Sequence, residues 1–257
     1  MFIFDTTKPI GLHDARQFID ENCRKAEMFK YCGMKPKHML MPLDSGEGRT
    51  TFTDYVAAQY KQHHVLSFTC GLDDYLEYVL DGTLPQLRQT FGQIAAAAIY
   101  TNQYENVVSM DISAIANHLN ESQLSEFIEN ASRLCKHAYV VFFISSQRSR
   151  NEERLVQKLV EAVPDIQEIP VQPYTLDELA DMIIYDMTEH SIIVDLDDFH
   201  RIVKEMLEAR GIHTAKGLIA LSRELMACAD YSAYCYPYLS KHAIEQYYAE
   251  WMKKKGV

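Results

Sequence analysis

Apolar positions along this chain follow two alternating rhythms, and the alternation stops once. From His13 to about Tyr31 the spacing is helical: Ala15, Phe18, Ile19, Ala26 and Phe29 fall near one face, with charges opposite. Gly33 and Lys35-Pro36 stop that helix. An apolar run at 38–42 predicts a first strand, and a helix through Phe52, Tyr55, Val56 and Tyr60 follows a polar loop. VLSFT at 65–69 predicts a second strand. A short helix at 73–79 and a long alanine-rich one from Leu84 to about Tyr100 lead to NVVSMD at 106–111, a buried strand ending in an acid. Residues 112–135 read as helix. HAYVVFFISS at 137–146 is a continuous apolar run, the pattern of a parallel strand covered on both faces. A helix over 151–163, ended by Pro164, precedes a fifth strand, IQEIPV, at 166–171. Thr175 and Glu178 form a capping-box signature that opens a helix to about Thr188.

Beyond residue 190 the strand signal fades, and helices are expected at 195–209, 214–229 and 240–254. Strands alternating with helices argue for right-handed βαβ units and a parallel sheet. The expected architecture is therefore α/β: a five-stranded parallel sheet between helices over residues 1–189, then a small all-helical domain over 190–257.

Composition narrows the class. The chain has 257 residues, 47% apolar and 24% charged, enough for an ordinary packed core. No apolar run reaches the ~18 residues needed to span a membrane. The start, MFIFDTTKP, lacks a basic region and a small-residue cleavage site, so no secretory signal is expected. Six scattered cysteines (Cys23, Cys32, Cys70, Cys135, Cys228, Cys235) form no C-x-x-C pair, which argues against zinc and for reduced thiols in a cytoplasmic protein. A net charge of −11 argues against coating nucleic acid over the whole surface, while leaving room for a local basic patch.

The chemistry concentrates at residues 38–51, HMLMPLDSGEGRTT. An apolar run, a two-glycine polar turn, a basic residue and two threonines precede a helix, the layout of a phosphate-cradling loop. Against G-x-x-x-x-G-K-[ST], the first glycine is Leu43 and the lysine is Arg49. With the helical tail and the run-in PIGLHDARQFIDENCRKAEMFKYCGMKPKHMLM, the chain resembles an AAA+ module, a P-loop NTPase fold with a helical lid. Within that superfamily it is most similar to the CbxX/CfxQ and stage V sporulation K group. IPVQPYTLDELADMI resembles that group's link into the lid.

The resemblance implies roles. Ile10 and Gly11 match an adenine-touching turn. Ser45, Gly46, Glu47, Gly48, Arg49, Thr50 and Thr51 match the phosphate loop and helix start, with Thr50 as the Mg²⁺-binding hydroxyl. Asp111 matches the Mg²⁺-facing acid of the second motif, and Ile112 stands where the catalytic Glu belongs. Ser145 or its neighbour Ser146 falls at the sensor after strand four, and Thr214 and Lys216 fall near the lid sensor. The stretch VPDIQEIP carries no base where an arginine finger normally sits. The implied cofactor is ATP or ADP with Mg²⁺, bound weakly or not at all; the implied partner is a protein or an AAA+-type oligomer, of like or unlike subunits.

Each substitution has a chemical cost. Lysine is a point charge between phosphates; arginine is bulkier and planar. Leu43 reshapes the start of the cradle, Glu47 adds negative charge to it, and Ile112 removes the group that polarises water. These losses favour a pseudo-ATPase acting as a binding or scaffold subunit. Two other readings stay open. One is an active AAA+ ATPase remodelling a protein or nucleic-acid partner, with Asp44, Glu47 or Asp73 replacing the Glu. The other is an accessory DNA-binding protein of replication or mobile-element machinery, using Arg148, Arg150 and Arg154. Plainer readings exist for several residues: Asp111 as a helix N-cap, 145–150 as a polar loop, His63-His64 as strand-edge histidines, and Tyr231, Tyr234, Tyr236, Tyr238, Tyr247, Tyr248 and Trp251 as lid packing. The acids Asp73, Asp74, Glu77 and Asp81 beside Tyr75 and Tyr78 argue against a threading pore.

Overall fold

The computed structural model describes residues 9–32, 37–62, 69–71, 107–136, 139–194, 196–232 and 236–255. Residues 65–68 of the strand expected at 65–69, the helices at 73–79 and 84–100, the stop at Gly33 and Lys35-Pro36, His63-His64, the acids and tyrosines of 73–81, and Tyr234 lie outside these residues.

The described chain falls into two compact units, Leu12–Val171 and Gln172–Val257, the latter together with the N-terminal residues through Gly11. The division lies between 171 and 172, ahead of the capping box at Thr175.

The first unit begins with α1 (His13–Cys32), which buries Ala15, Phe18, Ile19 and Cys23. Then come β1 (His38–Pro42), α2 (Arg49–Gln62), β2 (Thr69–Gly71) and β3 (Val107–Asp111). They are followed by α3 (Ser113–Ala116), α4 (Glu121–Leu134), β4 (Tyr139–Ile144), α5 (Arg150–Ala162) and β5 (Ile166–Glu168). All strand pairs are parallel and the order is β2-β3-β4-β1-β5. The five-stranded parallel sheet between helices is thus as expected. β4 is central, pairing with β1 on one side and β3 on the other, and is buried at all six positions, which is why its sequence is apolar throughout.

Alternate strand residues serve opposite layers. Leu40, Val108, Met110, Val140, Phe142 and Ile144 join one core with Phe127 and Leu134 of α4 and Leu155 and Leu159 of α5. Met39, Met41, Val141 and Phe143 point the other way and are also buried, on the side where α2 packs on β2 and β3.

The helix expected over 112–135 is two helices. Asn120 breaks it: its side chain accepts from the Gln123 N–H while the Gln123 side chain accepts from the Asn120 N–H. That capping box satisfies donors that a continuous helix would have used otherwise. β5 is shorter than 166–171, although Ile169 still donates to the Leu40 carbonyl at 2.9 Å; Pro170 has no N–H to extend the ladder.

The second unit holds α6 (Leu176–Glu189), β6 (Ile193–Val194), α7 (Leu196–Arg210), α8 (Ala215–Met226), β7 (Tyr238–Leu239) and α9 (Lys241–Lys255). Leu179, Ile183, Met187, Phe199, Val203, Met206, Leu207, Leu221, Leu225 and Ile244 form its core. It is a small helical domain with one addition, a parallel pairing of β6 with β7 that ties 193–194 to 238–239. Among the described residues, no helix is long and apolar enough to cross a membrane.

Candidate nucleotide site

The loop between β1 and α2 folds back onto the sheet as soon as β1 ends. Leu43 is buried, and its N–H lies 3.0 Å from both the Met41 and Ile144 carbonyls. The Glu47 N–H closes a turn on the Asp44 carbonyl at 3.1 Å. Gly46 and Gly48 take φ of +88° and +93°, which side chains rarely adopt, so both glycines are required by the path of the loop. Ser45 and Gly46 are exposed, Glu47 and Gly48 half-buried, and Thr50 and Thr51 exposed in the first turn of α2.

Arg49, the first residue of α2, is turned toward the sheet. Its Nε donates to the Leu43 carbonyl at 2.5 Å, and its Nη1 donates to Oδ2 of Asp111 at the end of β3. Its guanidinium carbon stands 5.6 Å from the centroid of the Phe143 ring. The side chain is only 12% exposed, and that of Asp111 23%. The second oxygen of Asp111 accepts from the Ser113 N–H at 3.0 Å and from the Ser113 hydroxyl. The N-cap of α3 is Ile112, not Asp111, which accepts from the first N–H of that helix with one oxygen and pairs with a cation through the other. Ile112 beside it is fully buried and belongs to the core under α4 and α5.

Ser145 and Ser146 separate in role. The Ser145 hydroxyl donates to Glu152 at 2.6 Å. Glu152 also accepts from the Ser149 N–H at 2.7 Å, closing a capping box at the start of α5. It is 3% exposed. Burial pushes its carboxyl up, but the hydrogen bonds from Ser145 and Ser149 outweigh that and hold it below the usual glutamate value. Ser146 instead gives its N–H, at 3.1 Å, and its hydroxyl to Asp44, pinning the loop to the end of β4. Asp44, Phe143 and Glu152 were not singled out as structural anchors by the sequence. The Ser149-x-x-Glu152 spacing was a readable signal for the last; the others depend on the strand order.

Ile10, Gly11, Thr214 and Lys216 belong to the second unit, and Arg148, Arg150 and Arg154 to the first. Gly11 has φ of +71°, and a Cβ there would lie 2.7 Å from Cε1 of Tyr174, so both backbone and packing demand glycine. Ile10 beside it is half-buried. Thr214 caps α8, accepting from the Gly217 N–H at 3.2 Å, and Lys216 is exposed in the first turn of that helix. Arg148 pairs with Glu168, and Arg154 with Glu121; Arg150 is exposed.

Known structures share this fold. C. elegans PCH-2 superposes with a TM-score of 0.65 at 12% identity, over 98% of this chain and 73% of the other. The Thermotoga maritima RuvB Holliday junction branch migration motor superposes with a TM-score of 0.56 at 13% identity, over 96% and 73%. Both are AAA+ ATPases. The fold is that of an AAA+ module. No protein-family profile and no curated protein sequence matches the chain. The loop after β1 and the acid ending β3 are joined through Arg49 and Asp111.

Proposed function

We propose that this chain is an AAA+-type pseudo-ATPase whose phosphate loop has become an internal joint, and that it acts as a binding or scaffold subunit for a protein partner. The pairing of Arg49 with Asp111 carries this reading. In a working loop the cation reaches the phosphates and the acid faces Mg²⁺. Here the cation is spent on Leu43, Asp111 and Phe143, and both Asp111 oxygens already have donors. The residues present do not fit a magnesium nucleotide. Ile112, buried in the core, cannot polarise a water, and Glu47 adds a charge that repels phosphate.

Within the superfamily, the PIGL run-in and the link before Thr175 favour the CbxX/CfxQ and stage V sporulation K group. An assembly with like or unlike AAA+ subunits suits a scaffold, and the free thiols Cys23, Cys135 and Cys228 suit the cytoplasm. RuvB is a Holliday junction branch migration motor; for this chain the DNA reading is weaker, since Arg148 and Arg154 are paired with Glu168 and Glu121.

The test is thermal unfolding with millimolar Mg²⁺-ATP, ADP or a non-hydrolysable analogue. A ligand at ~100 times its dissociation constant adds about 2.7 kcal/mol. We expect no shift in midpoint. A shift that disappears in Arg49→Ala and Thr50→Ala would overturn the proposal and restore an active nucleotide site.

A further inference from the structure

In the second unit, the end of α7 and the last turns of α9 border an open surface hollow of about 580 Å³ lined by Ala209, Arg210, Trp251, Met252 and Lys255. That volume is within the range of ~300–1,000 Å³ typical of ligand sites. Arg210 is its fixed wall. Its side chain is 10% exposed, and its Nη1 donates to Glu224 at 2.6 Å. Its Nη2 donates to the Tyr247 hydroxyl, which in turn donates to Glu224. The guanidinium carbon lies 4.7 Å from the Trp251 ring centroid and 5.5 Å from that of Tyr247. One donor is left over: the buried Arg210 Nε–H has no acceptor among the described residues.

Trp251 is held from several sides. Tyr248 stacks on it, with centroids 6.4 Å apart and planes at 17°, and the Lys255 ammonium stands 6.0 Å from its ring. No carboxylate among the described residues pairs with Lys255. The helix closes on Lys253, Lys254 and Lys255 in a chain of net charge −11. An indole and a thioether thus lie beside cations whose positive charge the chain has not fully used.

We propose that this hollow is a docking point for an acidic peptide segment of a protein partner, one carrying a bulky apolar side chain beside its carboxylates. The apolar group covers Trp251 and Met252, and a carboxylate meets Lys255 and the spare donor capacity of Arg210. Nucleic acid fits less well. The charge of Arg210 is already offset by Glu224, whose carboxyl the bonds from Tyr247 and Arg210 hold below its usual value. Phosphate tracking uses many cations along a stripe rather than a single hollow. The inference does not depend on the state of the nucleotide loop.

Trp251 is the chain's only tryptophan, so its fluorescence reports on this hollow alone. The probe is acetyl-Asp-Phe-Glu-Leu-Asp-amide titrated into the full chain. A saturable change in emission is expected, weakened tenfold or more by Ala209→Glu and by Lys255→Glu. Both positions are exposed, so the variants should keep the native circular dichroism. A basic counterpart, acetyl-Lys-Phe-Lys-Leu-Lys-amide, and a fifteen-nucleotide oligothymidylate should give no saturable change. Silence with the acidic peptide at millimolar concentration, equal binding of the basic one, tighter binding of the oligonucleotide, or folded variants that bind undiminished would each overturn the proposal.

Discussion

If Arg49 is a structural joint, removing it should unbalance the sheet it is tied to. Arg49→Ala leaves Asp111 without its countercharge at a site where the two side chains are 12% and 23% exposed. An unpaired charge in a fully buried site costs about 3–5 kcal/mol. Residual contact with water reduces that figure, and losing the contact with Phe143 adds ~1 kcal/mol back. The net expectation is a loss of about 2–3 kcal/mol. For a chain of this size that is a fall in midpoint of about 5–10 °C. Because truncation also removes the bond to Leu43, the decisive quantity is the coupling in a cycle of Arg49→Ala, Asp111→Ala and the double variant, read by urea unfolding followed by circular dichroism. A coupling of about 1–2 kcal/mol, with the dependence on urea unchanged between variants, is expected. A coupling below about 0.5 kcal/mol is that of an exposed ion pair, and would mean that the guanidinium is free to leave Asp111 for a ligand. That result would refute the joint.

Three other perturbations test neighbouring features. Gly11→Ala should cost about 2–3 kcal/mol, from the positive φ and the approach to Tyr174, and the cost should shrink toward ~1 kcal/mol in a Tyr174→Ala background. Glu152→Gln should cost about 1–2 kcal/mol at pH 7, because an amide offers one acceptor where the carboxylate uses two against Ser145 and Ser149. The folded carboxyl sits below its usual 4.5, so this stabilisation is complete above that pH and is lost as pH falls through the lower folded value; the gap between native and variant should close in acid. Thr214→Ala should cost about 1 kcal/mol as a lost helix cap, measured by thermal unfolding, and should leave any response to nucleotide unchanged.

β1, β3 and β4 were legible because each is a short apolar run bounded by a turn, and β4 carried its central position in its unbroken YVVFFI. The spacing of the glycines located the loop, and their positive φ values explain why they stand there. The direction in which Arg49 turns was not legible. Its partner is 62 residues away, and the two meet only because β4 lies between β1 and β3, bringing Phe143 and Asp111 to the same end of the sheet. Ser145 and Ser146, adjacent and chemically alike, go to Glu152 and Asp44, a choice that alternation along the strand end makes and composition cannot. The break at Asn120 was hidden by a helical rhythm that continues across it. β6 and β7 are two residues each, below the length at which period-two alternation can be seen.

The order of strands also sets a timetable for synthesis. β1, with Met39, Leu40 and Met41, has neighbours only in β4 and β5; Met39 lies opposite Val141 and Gln167. When β1 leaves the ribosome, about a hundred residues must still be added before either neighbour exists, which at ~5–20 residues per second takes roughly 5–20 s. Throughout that interval an apolar strand has both edges open. The sheet must therefore assemble from its middle late in translation, and the nascent chain should associate with holding chaperones until about residue 144 has emerged.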